Sequence, residues 1–210
     1  MQVKRDSREF GGGLGLTVTE EARRAQIIDA TIDTMAELGY RKTSFARIVE
    51  RAGLSSTRMI SYHFGTKDEL IMATIGAIVD LQDRFLQQRL GDETERAAML
   101  GAYIRSEVAF LGDHPRHARA LLEIATGTAA GGEAPMVPLV LKGVATGRLE
   151  RQLRQGQHEG VFGEFDVEVM AMAIRQAIDG VTARLAREPD LDVEAYGREL
   201  AELFIRAARP

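Results

Sequence analysis

Residues 45–64 read FARIVERAGLSSTRMISYHF, and this stretch decides the fold. Ser44 is a helix-capping residue type directly ahead of Phe45, and Gly53 is the type on which helices end. A short helix is therefore expected over Phe45–Ala52, followed by another from Ser55 to His63. Two short helices joined by a glycine-containing turn, here Gly53-Leu54-Ser55, form the helix-turn-helix device. In that device the first helix crosses the DNA backbone and the second offers its N-terminal side chains to base edges in the major groove. An ordinary αα-hairpin carries the same pattern, so the surrounding sequence has to support it.

On the N-terminal side, Thr17 or Thr19 can cap a helix with Glu20 and Glu21 in its first turn. Ile28, Ile32, Met35 and Leu38 keep helical spacing along it, and Gly39 ends it. On the C-terminal side, Thr66-Lys67-Asp68-Glu69 has the form of a capping box and opens a long helix reaching about Leu90. Further helices are expected over about Glu93–Leu111, Arg116–Ala125, Pro135–Glu159 and Asp166–Ala186, with a last one capped by Asp192 and running to Ala208. Gly127–Gly132 reads as a small-residue loop and Gly160–Phe165 as a turn with a brief extended piece. No strand pair and no repeat is visible. The expected fold class is all-α: an N-terminal three-helix helix-turn-helix domain over residues 19–66, joined by a long helix to a C-terminal helical domain over residues 67–210, whose ligand-binding and dimerisation roles are what the resemblance described below implies. Residues 1–18, with the run Gly11-Gly12-Gly13-Leu14-Gly15, are expected to be a flexible tail, either passive or reaching a minor groove as a basic arm through Lys4, Arg5 and Arg8.

The 210 residues carry a net charge of −4, which taken whole argues against nucleic acid as a partner. The charge is unevenly placed. Residues 1–67 hold 11 Lys and Arg against 8 Asp and Glu, a net of +3, and residues 68–210 hold 16 against 23, a net of −7. Within Tyr40–Lys67, Arg41, Lys42, Arg47, Arg51, Arg58 and Lys67 face only Glu50. A basic patch of that kind suits phosphates, because each one neutralised releases condensed counterions; it also suits a plain solvated surface. With no cysteine, disulfides, thiolate nucleophiles and cysteine-held metals are excluded. The longest apolar run, Met136–Leu141 with Pro138 inside it, is too short to span a membrane, and Lys4 and Arg5 precede no apolar stretch. A cytoplasmic protein without a membrane partner is expected.

The stretch Gly39-Tyr40-Arg41-Lys42-Thr43-Ser44-Phe45, with Ile48, Ala52-Gly53-Leu54-Ser55 and Tyr62-His63-Phe64-Gly65-Thr66-Lys67-Asp68-Glu69-Leu70, resembles the N-terminal domain of the TetR family of bacterial transcription regulators. The resemblance covers about Glu21 to Ile71. It implies double-stranded DNA as a partner, a homodimer, and a C-terminal domain that binds a small-molecule effector and releases the DNA. One departure stands out. Between Gly53 and Tyr62-His63-Phe64 the usual pattern is one residue shorter, so the extra residue either lengthens the turn or adds to the second helix. Which of Ser56, Thr57 and Arg58 faces bases depends on that choice, and Ser61 stands where a tyrosine is common.

The candidate DNA-binding residues are Thr43, Ser44, Arg47, Ser55, Ser56, Thr57, Arg58, Ser61, Tyr62, His63 and Lys67. Thr43 and Ser44 open a helix whose free N–H groups suit a phosphate. The planar fork of Arg58 matches guanine O6 and N7, or a phosphate. Ser56 and Thr57 can meet a base or a phosphate; His63 resembles the family's phosphate-contacting histidine, and Lys67 suits a phosphate. Phe45, Ile48, Val49, Leu54, Ile60 and Phe64 are assigned to the domain's core.

In the C-terminal part, the helix Glu93–Leu111 is apolar on two stripes and should be buried. It could line a cavity with Tyr103 and Glu107 as polar points in an apolar wall. The candidate ligand residues are Met99, Tyr103, Glu107, Phe110, Leu122, Met136, Met170 and Ile174, each of which could equally be plain core. Two helices look too apolar for a lone protomer, and Val140, Val144, Val167, Met170, Ile174, Ile178 and Val181 are the candidate dimer residues. No catalytic constellation and no cofactor site is found. His63, His114, His117 and His158 are scattered, no metal-ligand set is completed, and no GxxxxGK[ST] motif occurs. The alternatives to a ligand-released repressor are an architectural DNA-binding protein and a helical small-molecule carrier.

Overall fold

The computed structural model describes residues 18–129, 136–188 and 190–210. The tail, with Lys4, Arg5 and Arg8, and the segment around Pro135 lie outside the described residues, as do the side chains of Met136 and Val144. The described residues form helices α1 (Val18–Leu38), α2 (Phe45–Ala52), α3 (Arg58–Phe64), α4 (Lys67–Leu90), α5 (Arg96–Asp113), α6 (Pro115–Ala129), α7 (Met136–His158), α8 (Val167–Leu185) and α9 (Val193–Ala207), with one 3-10 turn at Tyr40–Lys42. Among them there is no strand, and the Gly160–Phe165 turn holds no extended pair. No helix among them is long and apolar enough to cross a membrane.

Local chemistry sets the boundaries of the first four helices. Gly39, at φ 82°, ends α1, and its N–H donates to the Met35 carbonyl at 2.9 Å. The Ser44 hydroxyl accepts from the Arg47 N–H, and Gly53 closes α2 in the left-handed region at φ 64°. Thr66 and Glu69 form the full capping box of α4, with bonds of 3.1 and 3.2 Å. α3 differs from expectation: it begins at Arg58, three residues after Ser55. The additional residue therefore lengthens the turn. The α6 boundary differs as well, because Gly127 continues the helix to Ala129 instead of opening a loop.

Three apolar clusters organise the described residues. Ile27, Ala30, Ile48, Ile60, Phe64 and Leu70 form the small core of the first three helices, with Phe45, Val49 and Leu54 partly buried against it. The largest lies among α5, α7, α8 and α9 and includes Leu100, Ile104, Val108, Leu149, Leu153, Ile174, Ile178 and Val181. α5 is buried almost all round, from Leu100 to Ile104 and from Ser106 to Leu111. The third cluster joins the other two, packing Ile32, Met35 and Tyr40 against Ile71, Ile75, Phe110, Ala120 and Ile124. The N-terminal helices are thus fastened to the C-terminal body through α4 and α6.

Candidate nucleic-acid interface and cavity

Burial sorts α3 into two faces. Ile60 and Phe64 point into the core, and Arg58, Ser61 and Tyr62 are exposed. Tyr62 is 75% exposed, a large ring left in solvent, and meets the His63 ring edge-on at 5.0 Å. Ser55, Ser56 and Thr57 in the preceding turn are also exposed. Thr57 occupies the N-cap position but makes no side-chain cap bond, so its hydroxyl is not engaged by the helix. Ser44 and Arg47 are exposed at the start of α2. These residues give hydroxyls, cations and one aromatic ring on the surface around α2 and α3, the groups that contact phosphate, sugar and base edges.

One of the expected residues is placed differently, and two others are held by neighbours within the chain. Thr43 is buried, and its hydroxyl donates to the Gly39 carbonyl at 2.9 Å, so it ties the turn and does not present its side chain. His63 is half-buried, and its carbonyl accepts from Arg24. The Lys67 ammonium lies 4.7 Å from the centre of the Tyr40 ring, which positions it at the start of α4. Sequence reasoning did not single out Arg24, whose guanidinium sits 4.2 Å over the Phe64 ring and braces α3 from α1. It counted Arg41 and Lys42 as patch charge without naming them as contacts; both are exposed on the 3-10 turn leading into α2.

A cavity of about 390 Å³ lies in the C-terminal body, lined from α4, α5, α6, α7 and α8. Of the candidate ligand residues, Tyr103, Glu107 and Leu122 line it. Phe110 does not: it is buried beside Phe85 and His114, whose rings lie 5.6 and 4.7 Å away. Met99 is not among the lining residues, and Met170 and Ile174 belong to the core cluster of α5 and α8. The lining is also far more charged than the two polar points expected, with Asp83, Arg148, Arg151, Arg175 and Asp179 in addition to Glu107. Burial alone would push the Arg175 guanidinium down, but the carboxylates of Glu107 and Asp179 more than offset this and hold it charged. Burial and the Glu107 charge push the Tyr103 phenol above its ordinary range, so its hydroxyl keeps its proton. Among the described residues no group of three potential ligands for a metal ion occurs.

The dimer assignment is corrected in part. Ile174, Ile178 and Val181 are fully buried in the chain's own core, and Val167 and Met170 pack against the same cluster. Val140 is half-buried. The exposed face of α8 instead carries Val169 and Met172, at 57% and 56% exposure, with Ala173, Gln176, Gly180 and Ala183.

Helix α6 connects the cavity to the N-terminal helices. Ala118, Leu121, Leu122 and Ala125 line the cavity. From the same helix, Arg116 donates to Asp33 at 2.6 Å and to Asp29 at 2.7 Å on α1, and Glu123 accepts from the Tyr40 N–H at 3.3 Å. Gly127 packs beneath Tyr40 so closely that a Cβ there would lie 2.5 Å from the Tyr40 Cβ and ring.

Residues 27–74 match the sequence model of the bacterial regulatory proteins of the tetR family. The chain is 38% identical over 85 residues to the HTH-type transcriptional regulator BetI of Paraburkholderia phymatum, a segment covering 40% of this chain and 43% of that protein. It is 36% identical over the same length to the regulator of that name from Burkholderia ambifaria. The match thus spans less than half the length of these relatives. A TetR family transcription regulator from Marinobacter aquaeolei superposes with a TM-score of 0.76 at 16% identity, covering 92% of this chain and 99% of that one. A TetR transcription regulator from Haloarcula marismortui gives 0.70 at 22%, covering 90% and 100%. At such identities the likeness concerns the fold.

Proposed function

We propose that the protein, whose residues 27–74 match the sequence model of the tetR family of bacterial regulatory proteins, is a sequence-specific DNA-binding transcription regulator, a repressor that binds a palindromic operator as a dimer and is released by a small-molecule effector in the cytoplasm. The observation that carries this reading is the outer face of the helix-turn-helix. Arg58, Ser61 and Tyr62 stand exposed on a helix whose other face is locked by Ile60 and Phe64. Specific base contact needs side chains held by a rigid scaffold, and this arrangement provides one. A two-fold dimer would present two such helices to two half-sites.

Arg58→Ala tests the readout. Its expected effect is a loss of roughly 1–3 kcal/mol confined to one base pair of each half-site, measured by binding to a set of operator variants. An equal loss on every sequence would make Arg58 a phosphate contact, and uniform binding of the unsubstituted protein to all duplexes would favour an architectural DNA binder.

Release follows from the position of α6, which lines the cavity on one side and holds α1 and Tyr40 on the other. A ligand that displaces α6 would move the N-terminal domain away from the spacing the operator requires. Gly127→Leu imitates that displacement without a ligand. The added Cβ meets the root of the Tyr40 side chain, which cannot swing aside as a flexible tip would. Operator affinity should fall by about tenfold, the size of an ordinary allosteric coupling, with helical content unchanged by circular dichroism. Unchanged operator affinity would remove α6 from the release mechanism.

A further inference from the structure

The charges lining the cavity form two clusters, one buried and one exposed. In the buried cluster Arg175 lies between Glu107 and Asp179, with side-chain exposures of 12% for Arg175 and 11% for Glu107. Arg175 Nη1 donates to Glu107 Oε2 at 2.8 Å. Its Nε and Nη2 lie 3.0 and 2.7 Å from Asp179 Oδ1. Each carboxylate engages one oxygen in this way, and the second oxygen of each accepts no hydrogen bond among the described residues. This cluster therefore has one surplus negative charge and unused acceptors. The exposed cluster has the opposite sign. Arg148 pairs with Asp83, and Arg151, one turn further along α7, has no carboxylate partner among the described residues. Val79, Leu111 and Leu121 add apolar walls, and Gln82 and Thr182 add uncharged polar groups.

A ligand that satisfied this lining would have three parts. An anionic group would meet the surplus positive charge beside solvent, where an arginine fork binds carboxylate well. An apolar body would cover the aliphatic walls. A donor elsewhere on the ligand would meet the oxygens of Glu107 and Asp179 that Arg175 does not engage, forming a charge-assisted hydrogen bond. The volume of about 390 Å³ suits a molecule of ordinary metabolite or drug size.

Building on the effector reading above, we propose that this cavity takes an amphipathic organic acid whose carboxylate meets Arg151 and Arg148 and whose remote end carries a hydroxyl or amino donor to Glu107 and Asp179. The preference is set by two recognitions of opposite charge, so neither a plain fatty acid nor an uncharged alcohol meets both.

Titration calorimetry on the full chain tests this with four medium-chain probes of equal length: an ω-amino alkanoate, an ω-hydroxy alkanoate, the plain alkanoate and the terminal diol. The two donor-bearing acids should bind about tenfold or more tighter than the other two, the increment expected of one charge-assisted hydrogen bond. Arg151→Ala removes an exposed side chain that has no carboxylate partner among the described residues and should leave the fold intact. It should weaken both donor-bearing acids about tenfold and leave the diol unaffected. Asp179→Asn, which keeps an acceptor for Arg175, should abolish the advantage of the donor-bearing acids over the plain alkanoate. Equal binding of the plain alkanoate or the diol overturns the proposal, as does the absence of binding by all four probes. The effector reading fails separately, by donor-bearing acids that bind with this preference and leave operator affinity unchanged.

Discussion

Met172→Arg is expected to convert the protein to a monomer and to lower operator affinity by about a hundredfold or more, since linking two binding modules gains a factor of that order without new contacts. The face of α8 that carries Val169, Met172, Ala173 and Gly180 is exposed in the protomer, and Val169 and Met172 are more than half uncovered. The opposite face, with Ile174, Ile178 and Val181, is fully used in the chain's own core. A two-fold interface would bring the same patch of both copies together, so a cation placed at Met172 would approach its own symmetry mate in a desolvated setting. Met172 is not among the residues lining the cavity and is more than half exposed in the protomer, so each protomer should stay folded. Sedimentation and operator titration on the same sample check this. A variant that sediments as a dimer with unchanged affinity would exclude this face of α8 as the interface.

Legibility in the sequence followed the range of the interaction. α2 was readable to the residue, because Ser44 and Gly53 act on backbone groups within a few positions of themselves. The capping box at Thr66 and Glu69 was readable for the same reason. The start of α3 was not. Ser55, Ser56 and Thr57 all have short hydroxyl side chains able to compete for backbone groups, and local preference does not choose among three consecutive capping types. The structure places the helix start after all three. On α8, periodicity found apolar residues but not the direction in which each stripe points. The stripe of Ile174, Ile178 and Val181 turns inward, and the looser one with Val169, Met172 and Gly180 is left outside. The Arg175–Glu107 pair was beyond reach, since it joins residues 68 positions apart through the packing of α5 on α8. Only its i,i+4 neighbour Asp179 carried a local signal. Thr43 shows the opposite error: its type and position suited a phosphate, and burial assigned it to the turn.

Arg175→Ala should destabilise the protein by about 3–5 kcal/mol, the range for removing one partner of a buried ion pair. The reason lies with the residues left behind. Glu107 is itself buried and loses the only cation within hydrogen-bonding reach among the described residues, while Asp179 adds a second negative charge beside it. The lost guanidinium also leaves a void next to the cavity, whose lining then relaxes only in part. Repulsion and desolvation, and not lost packing alone, are expected to dominate, and a double-mutant cycle separates the two. In Arg175→Ala combined with Glu107→Gln, the buried charge is gone and the remaining carboxylate of Asp179, more exposed at 39%, can be hydrated. The double variant should therefore be more stable than Arg175→Ala alone, measured by denaturant unfolding on the same preparation. Simple addition of the two single effects would show that Glu107 and Arg175 do not sense one another, and would leave only the shape of Arg175 to explain its place between α5 and α8.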